Sequence, residues 1–168
     1  ALARPQATGT LPDAEGTVIL AFDVSESMAA DDLKPTRMAA AKAATTAFVQ
    51  AQPAGVVIGV VAFSDAGVSV QAPTDDQAAV LSAINRLQPE RGTSLGQGIL
   101  ASLSAIEAAE NPPPTDYYSS RTPPPSTSLA PVPPGSDSSA VIILVTDGEN
   151  TQRPDPATAA QAAADRGV

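Results

Sequence analysis

Neither cysteine nor histidine occurs anywhere in the 168 residues. Disulfides, thiolate metal sites, cysteine nucleophiles and any Ser-His-Asp machinery carried by this chain are therefore excluded. A cation site, if the chain has one, must be built from oxygen, the donor that Mg2+ and Ca2+ prefer. Aromatic residues make up only 3% of the chain, so its 43% of hydrophobic residues must form a core from Ala, Val, Ile and Leu. Basic residues are scarce: 9 stand against 18 acids, for a formal charge of -9. Nucleic acid and anionic lipid reward clustered Lys and Arg, so both are poor partners. Cations and basic partners are the better electrostatic match. Long apolar runs are missing too. None approaches the roughly 20 residues that span a bilayer, and the first residues do not resemble a signal peptide. The residues given are expected to form a soluble unit with no membrane insertion.

What is present reads as alternating strands and helices, on a length that suits one domain. Residues 1–16 are a polar lead-in. "TVILAFDV", from Thr17, is β-branched and apolar on both faces, as a central parallel strand should be. "PTRMAAAKAATTAFVQAQ" reads as a helix with Pro35 in its first turn and Met38, Ala41, Thr45, Phe48 and Val49 near one face. "VVIGVVAF", from Val56, is a second buried strand. "GVSVQA", from Gly67 to Ala72, follows after a hairpin-length link and is expected as an antiparallel edge strand. "TDDQAAVLSAINRLQ" offers Thr74 as a cap and Val80, Leu81, Ile84 and Leu87 at helical spacing. "SLGQGILASLSAIEAAE" is another helix.

Residues 111–139 hold most of the 17 prolines and read as an extended surface insertion. "AVIILVTDG" then resumes the buried-strand pattern. "DPATAAQAAADRG" is a last helix, capped by Asp155 with Pro156 in its first turn, and Val168 is expected to open a further strand. The order implies an α/β domain over 17–168: a Rossmann-like, doubly wound, mostly parallel sheet with one antiparallel edge strand and helices on both faces.

Ligands of such sheets bind beyond the carboxyl ends of the strands, where strand order reverses. Two strands end there in acids, one at Asp23 in "DVSES" and one at Asp147 in "TDGEN". "ERGTSLGQG" brings Thr93 and Ser94 to the same rim. Converging carboxylates repel unless something positive lies between them. Neither motif contains Lys or Arg, so a divalent ion is the natural counterion. Carboxylates, hydroxyls and waters in octahedral array are the habit of Mg2+.

Each part has an ordinary reading as well. A lone Asp or Ser after a strand is commonly a cap or an Asx-turn. "TDG" alone is an ordinary turn, "LGQG" fits close helix packing, and Glu26 and Glu149 read as solvated rim charges. Asp31 and Asp32 read as caps for a helix starting near Lys34. The combination, in chain order on one side of a sheet, is far more specific than its parts.

"DVSES" resembles the Asp-x-Ser-x-Ser motif of von Willebrand factor type A domains, "GTSLGQGI" their second metal loop and "TDGE" their third. "DVSESMAADDLKPTRMAAAKAA" and "VVAFSDAG" resemble the bacterial membrane-associated, aerotolerance-type or BatA-like branch. The resemblance runs from about Thr17 to the end of the chain.

It implies a metal-ion-dependent adhesion site. Ser25 and Ser27 ligate the metal directly, and Thr93 does so directly or through water. Asp23 and Asp147 act mainly through bound water. The implied ion is Mg2+, with Mn2+ or Ca2+ as alternatives, and a partner protein's Glu or Asp completes the coordination. The implied function is non-enzymatic protein binding. The implied location is the extracytoplasmic side of a bacterial membrane, as part of a membrane-anchored protein.

Members of the family generally continue past the last helix. The chain is therefore expected to be incomplete at its C-terminus, with "AVIILVT" exposed at a sheet edge where it could pair with a second copy. The alternative is a metal-dependent phosphatase or hydrolase of haloacid-dehalogenase type, with Asp23 as nucleophile. That chemistry wants a second Asp at position 25, where this chain has a serine, a poor general acid at its normal pKa.

Overall fold

A computed structural model describes residues 16–111 and 139–168. Four strands and four helices alternate along it: β1 (Thr17–Asp23), α1 (Arg37–Ala51), β2 (Val57–Phe63), β3 (Gly67–Thr74), α2 (Gln77–Arg86), α3 (Leu95–Glu110), β4 (Ala140–Val145) and α4 (Pro156–Ala164). A single 3-10 turn, Glu26–Ala29, follows β1. The lead-in and nearly all of the proline-rich stretch 111–139 lie outside the described residues.

The sheet runs β3-β2-β1-β4. β1 pairs in parallel with β2 and with β4, whereas β3 is antiparallel to β2, as the hairpin spacing predicts. β1 is the switch point: the chain passes to β2 on one side and later returns to β4 on the other. Being central, β1 must be apolar on both faces. Leu20 and Phe22 enter the cluster shared with Met38 and Val49 of α1 and Val80, Ala83 and Ile84 of α2. Ile19 enters the opposite cluster, with Val61 of β2 and Ala105 and Ile106 of α3. α4 closes onto α3 through Ala159 and Ala163 against Ile99 and Leu103. Small residues make these layers close. A Cβ at Gly98 of α3 would lie 2.5 Å from the Phe63 ring, so only glycine lets the helix rest on that fully buried side chain.

Helix starts differ from the sequence expectation in instructive ways. Pro35 lies outside α1, whose cap is Thr36, accepting from the Ala39 N–H at 3.1 Å. Proline steers the residue before it away from helical geometry, so the helix forms only beyond the Lys34–Pro35 step. Asp31 and Asp32 are therefore not caps. Asp31 pairs with Lys34 in an exposed contact of little energetic weight, and Asp32 is taken by Arg37.

Thr74 remains in β3, which runs two residues further than expected, and Asp76 caps α2 by accepting from Ala78 and Ala79 N–H. A β-branched residue favours the strand, while Asp is the stronger cap. Asp155 and Pro156 open α4 as expected. The Val168 N–H donates to the Ala163 carbonyl at the end of α4. Among the described residues β4 lies at a sheet edge, with Val141 and Leu144 exposed.

Candidate metal centre

The last rung between β1 and β4 pairs Phe22 with Val145, so Asp23 and Thr146 face each other as the strands end. The Thr146 hydroxyl donates to Asp23 Oδ2 at 2.7 Å, and the Ser25 N–H donates to Asp23 Oδ1 at 2.8 Å. Asp23 is fully buried, with one such bond at each carboxylate oxygen. It works as a hub that turns the chain after β1 and aims the next residues along the rim. Ser25 Oγ and Ser27 Oγ then stand 2.9 Å apart.

The Ser27 side chain also helps to lower the Asp147 carboxyl. Asp23, Ser25 and Ser27 thus form one polar chain at the end of β1, tied across the switch point to β4 through Thr146. Gly148 adopts φ +89, a backbone state suited to glycine, and lets the chain turn straight after Asp147.

Thr93 is buried, and its hydrogen bonds run to the third loop rather than to Asp23, Ser25, Ser27 or Asp147. Its carbonyl accepts from Thr151 and Gln152 N–H, each at 3.1 Å. Ser94 caps α3 and donates to the Arg153 carbonyl at 3.0 Å, while Asn150 Oδ1 accepts from Leu95 N–H at 3.0 Å. The second and third loops are therefore stitched into one unit. Gly96 permits their contact, since a Cβ there would collide with Pro154. Glu26 and Glu149 are exposed at the rim, as expected of solvated charges.

The sequence motifs contain no base, but tertiary structure supplies one. Arg37 Nη1 donates to Asp147 Oδ2 at 2.8 Å, while Nε and Nη2 both reach Asp32 at 2.9 Å. A divalent ion is thus not the sole available counterion. Burial pushes the Asp147 carboxyl up. Hydrogen bonds from Ser27 and the Glu149 N–H, together with Arg37, outweigh burial and hold it below the usual carboxylate range. The Asp32 carboxyl is also lowered, chiefly by its hydrogen bond from Arg37.

Thr146 and Arg37 are the site residues that motif reading missed. Thr146 lies inside "TDGE", yet its role depends on the β1/β4 register. No local signal links Arg37 to Asp147.

The donor set fits a hard cation. Among the described residues no three carboxylates gather into a metal-sized group, so a cation bound here would depend on hydroxyl oxygens as well. Two neighbouring ligands of an octahedral Mg2+, each about 2.1 Å from the ion, stand about 3 Å apart, which is the Ser25–Ser27 separation. The Asp23 carboxylate holds the backbone of the first of these serines.

An open, mostly parallel sheet whose central strands end in carboxylates and hydroxyls at its switch point defines a class of domains. The von Willebrand factor type A domain family matches residues 18–149, and the chain belongs to that family. These domains generally mediate protein–protein interactions. The chain is 39% identical over 106 residues to a UPF0353 protein of Mycolicibacterium paratuberculosis and 36% identical over 107 residues to one of Nocardia farcinica. The aligned parts cover 63% and 64% of this chain and 32% of each relative, about a third of their length.

Among solved structures, an aerotolerance-related membrane protein of Bacteroides fragilis aligns with a TM-score of 0.63 at 23% identity, over 90% of this chain and 63% of its own. A membrane-spanning protein of Vibrio fischeri aligns at 0.54 and 24% identity, over 58% of this chain and 52% of its own. At these identities the likeness is one of fold. No helix among the described residues is long and apolar enough to cross a membrane.

Proposed function

We propose that this domain binds a partner protein through a divalent cation held by Ser25, Ser27 and Thr93, with Asp23 and Asp147 orienting the hydroxyls and metal-bound waters. The single observation that carries the reading is the pair of serine hydroxyls 2.9 Å apart, on a turn held by Asp23 at the β1/β4 switch point. Mg2+ is the first choice of ion, with Mn2+ or Ca2+ as alternatives. Because the hydroxyls are neutral, the bound ion would keep excess positive charge and supply an electrophilic position for a carboxylate oxygen of the partner. The roles of this chain's own residues are plainer. Asp23 fixes the Ser25 backbone, Ser25 and Ser27 hold each other's hydroxyls, and the stitched second and third loops keep Thr93 in place.

Calorimetric titration with Mg2+, and then with a Glu- or Asp-containing peptide in the presence and absence of Mg2+, tests the reading. Stoichiometric Mg2+ binding is expected, with peptide affinity lost in EDTA. Peptide affinity unchanged by EDTA, or no Mg2+ binding at all, overturns it. The phosphatase alternative is disfavoured by Asp23 itself. A nucleophilic carboxylate must present an accessible oxygen to its substrate, whereas this one is fully buried and hydrogen-bonded at both oxygens.

Two wider assignments accompany this reading. The domain belongs to a longer, membrane-anchored protein, supported by relatives about three times the matched length and by membrane proteins of the same fold, and its place on the extracytoplasmic side rests on the family resemblance alone. The β4 edge pairs with a second copy, supported by apolar side chains exposed on an edge that carries no charge or proline. Sedimentation of the present chain should show a concentration-dependent dimer that Leu144→Lys disperses. A monomer at every concentration removes the edge-pairing assignment.

A further inference from the structure

We infer that Arg37 is a positioning residue for the cation site: it clasps Asp147 to Asp32 and so presets the third loop before a metal arrives. The inference rests on the metal-site reading above and goes beyond it, because Arg37 is in none of the metal motifs.

Arg37 opens α1, and its backbone N–H donates to the Ala30 carbonyl at 2.9 Å, which ties the helix start to the segment leading out of the serine motif. Its guanidinium is shared between two carboxylates. Nε and Nη2 hold both oxygens of Asp32, a planar two-point grip, and Nη1 holds Asp147 Oδ2 at 2.8 Å. The three partners are graded in exposure: the Asp32 side chain is 56% exposed, Arg37 30% and Asp147 9%. The clasp therefore runs from solvent down into the rim.

Without it, Asp147 would retain the Glu149 N–H, a long bond of 3.3 Å from its own loop. That loop is one that must adjust to an ion. Arg37 alone ties Asp147 to a helix. Only a guanidinium has the geometry for this. A lysine ammonium is a point charge and cannot grip Asp32 with two parallel bonds while reaching Asp147.

Arg37 also carries a positive charge, which on its own would repel a cation. Charge and geometry must therefore be separated. The double variant Asp32→Asn/Arg37→Gln removes one charge of each sign and leaves the local net charge unchanged, but it breaks the clasp. Mg2+ affinity is read by calorimetry beside thermal melts.

Partners that orient metal ligands typically cost roughly 10- to 100-fold in metal affinity when lost. The double variant is expected to lose about tenfold or more, with a melting temperature within a few degrees of the parent chain. Arg37→Lys should recover only part of that loss. Asp32→Asn alone, at an exposed position that does not endanger folding, should lose a few-fold. Unchanged or tighter Mg2+ binding in the double variant overturns the inference, as does full recovery by lysine. If the parent chain fails to bind Mg2+, the metal-site reading falls; if it binds and the double variant binds equally well, only the clasp falls.

Discussion

Ser25→Ala is expected to remove measurable Mg2+ binding and leave the fold close to its normal stability. The hydrogen bond of the Ser25 hydroxyl is to the Ser27 hydroxyl, and a bond of that kind contributes about 1 kcal/mol net. The contact that shapes the turn comes instead from the Ser25 backbone N–H to Asp23 Oδ1, which alanine retains. The small, buried position also accepts a methyl group without a new clash. The cation loses far more, because one of the two adjacent hydroxyls that define its place is gone. The loss should exceed the roughly 10- to 100-fold typical of residues one step removed from a metal. Calorimetry with Mg2+ and a thermal melt read both quantities on one sample. Affinity within twofold of the parent would mean that Ser25 is an ordinary turn residue.

The second large effect is on stability. Phe63→Ala should cost about 3–5 kcal/mol, the usual range for emptying a fully buried aromatic site. For a chain of this size that lowers the melting temperature by roughly 10 °C or more. The cost should lie near the top of the range, since the facing residue is Gly98, which has no side chain with which to fill the void.

The converse substitution, Gly98→Ala, tests the same contact from the helix side. Helix propensity alone favours alanine by about 1 kcal/mol. Against that, the new methyl would stand 2.5 Å from a ring with no exposed surface and nowhere to move, and overpacking typically costs about 1–3 kcal/mol. The net result should be destabilising. A more stable Gly98→Ala, or a Phe63→Ala melting within about 3 °C of the parent, would show that α3 does not rest on this ring as described.

Much of this architecture was legible in the residues because the signals are local. The two-faced apolar strand at Thr17, the hairpin spacing before Gly67 and the Asp155–Pro156 helix start each depend on neighbours a few positions away. The errors came where two local signals competed. Thr74 and Asp76 both cap well, and the strand claimed the threonine. Asp31 and Asp32 stand before a helix, but Pro35 delayed its start and left Asp32 to Arg37. "LGQG" was readable as close packing. Which surfaces it approached, Phe63 for Gly98 and Pro154 for Gly96, was not.

The amino-acid order by itself determined which strands end in oxygen-bearing loops, and that any cation here must be met by carboxylates and hydroxyls, because composition and periodicity act within short stretches of chain. Only the tertiary structure decided that Thr146 secures Asp23 across 123 residues and that Arg37 reaches Asp147 across 110. Those contacts follow from strand register and from where a helix begins relative to a sheet, and no pattern within either segment encodes them.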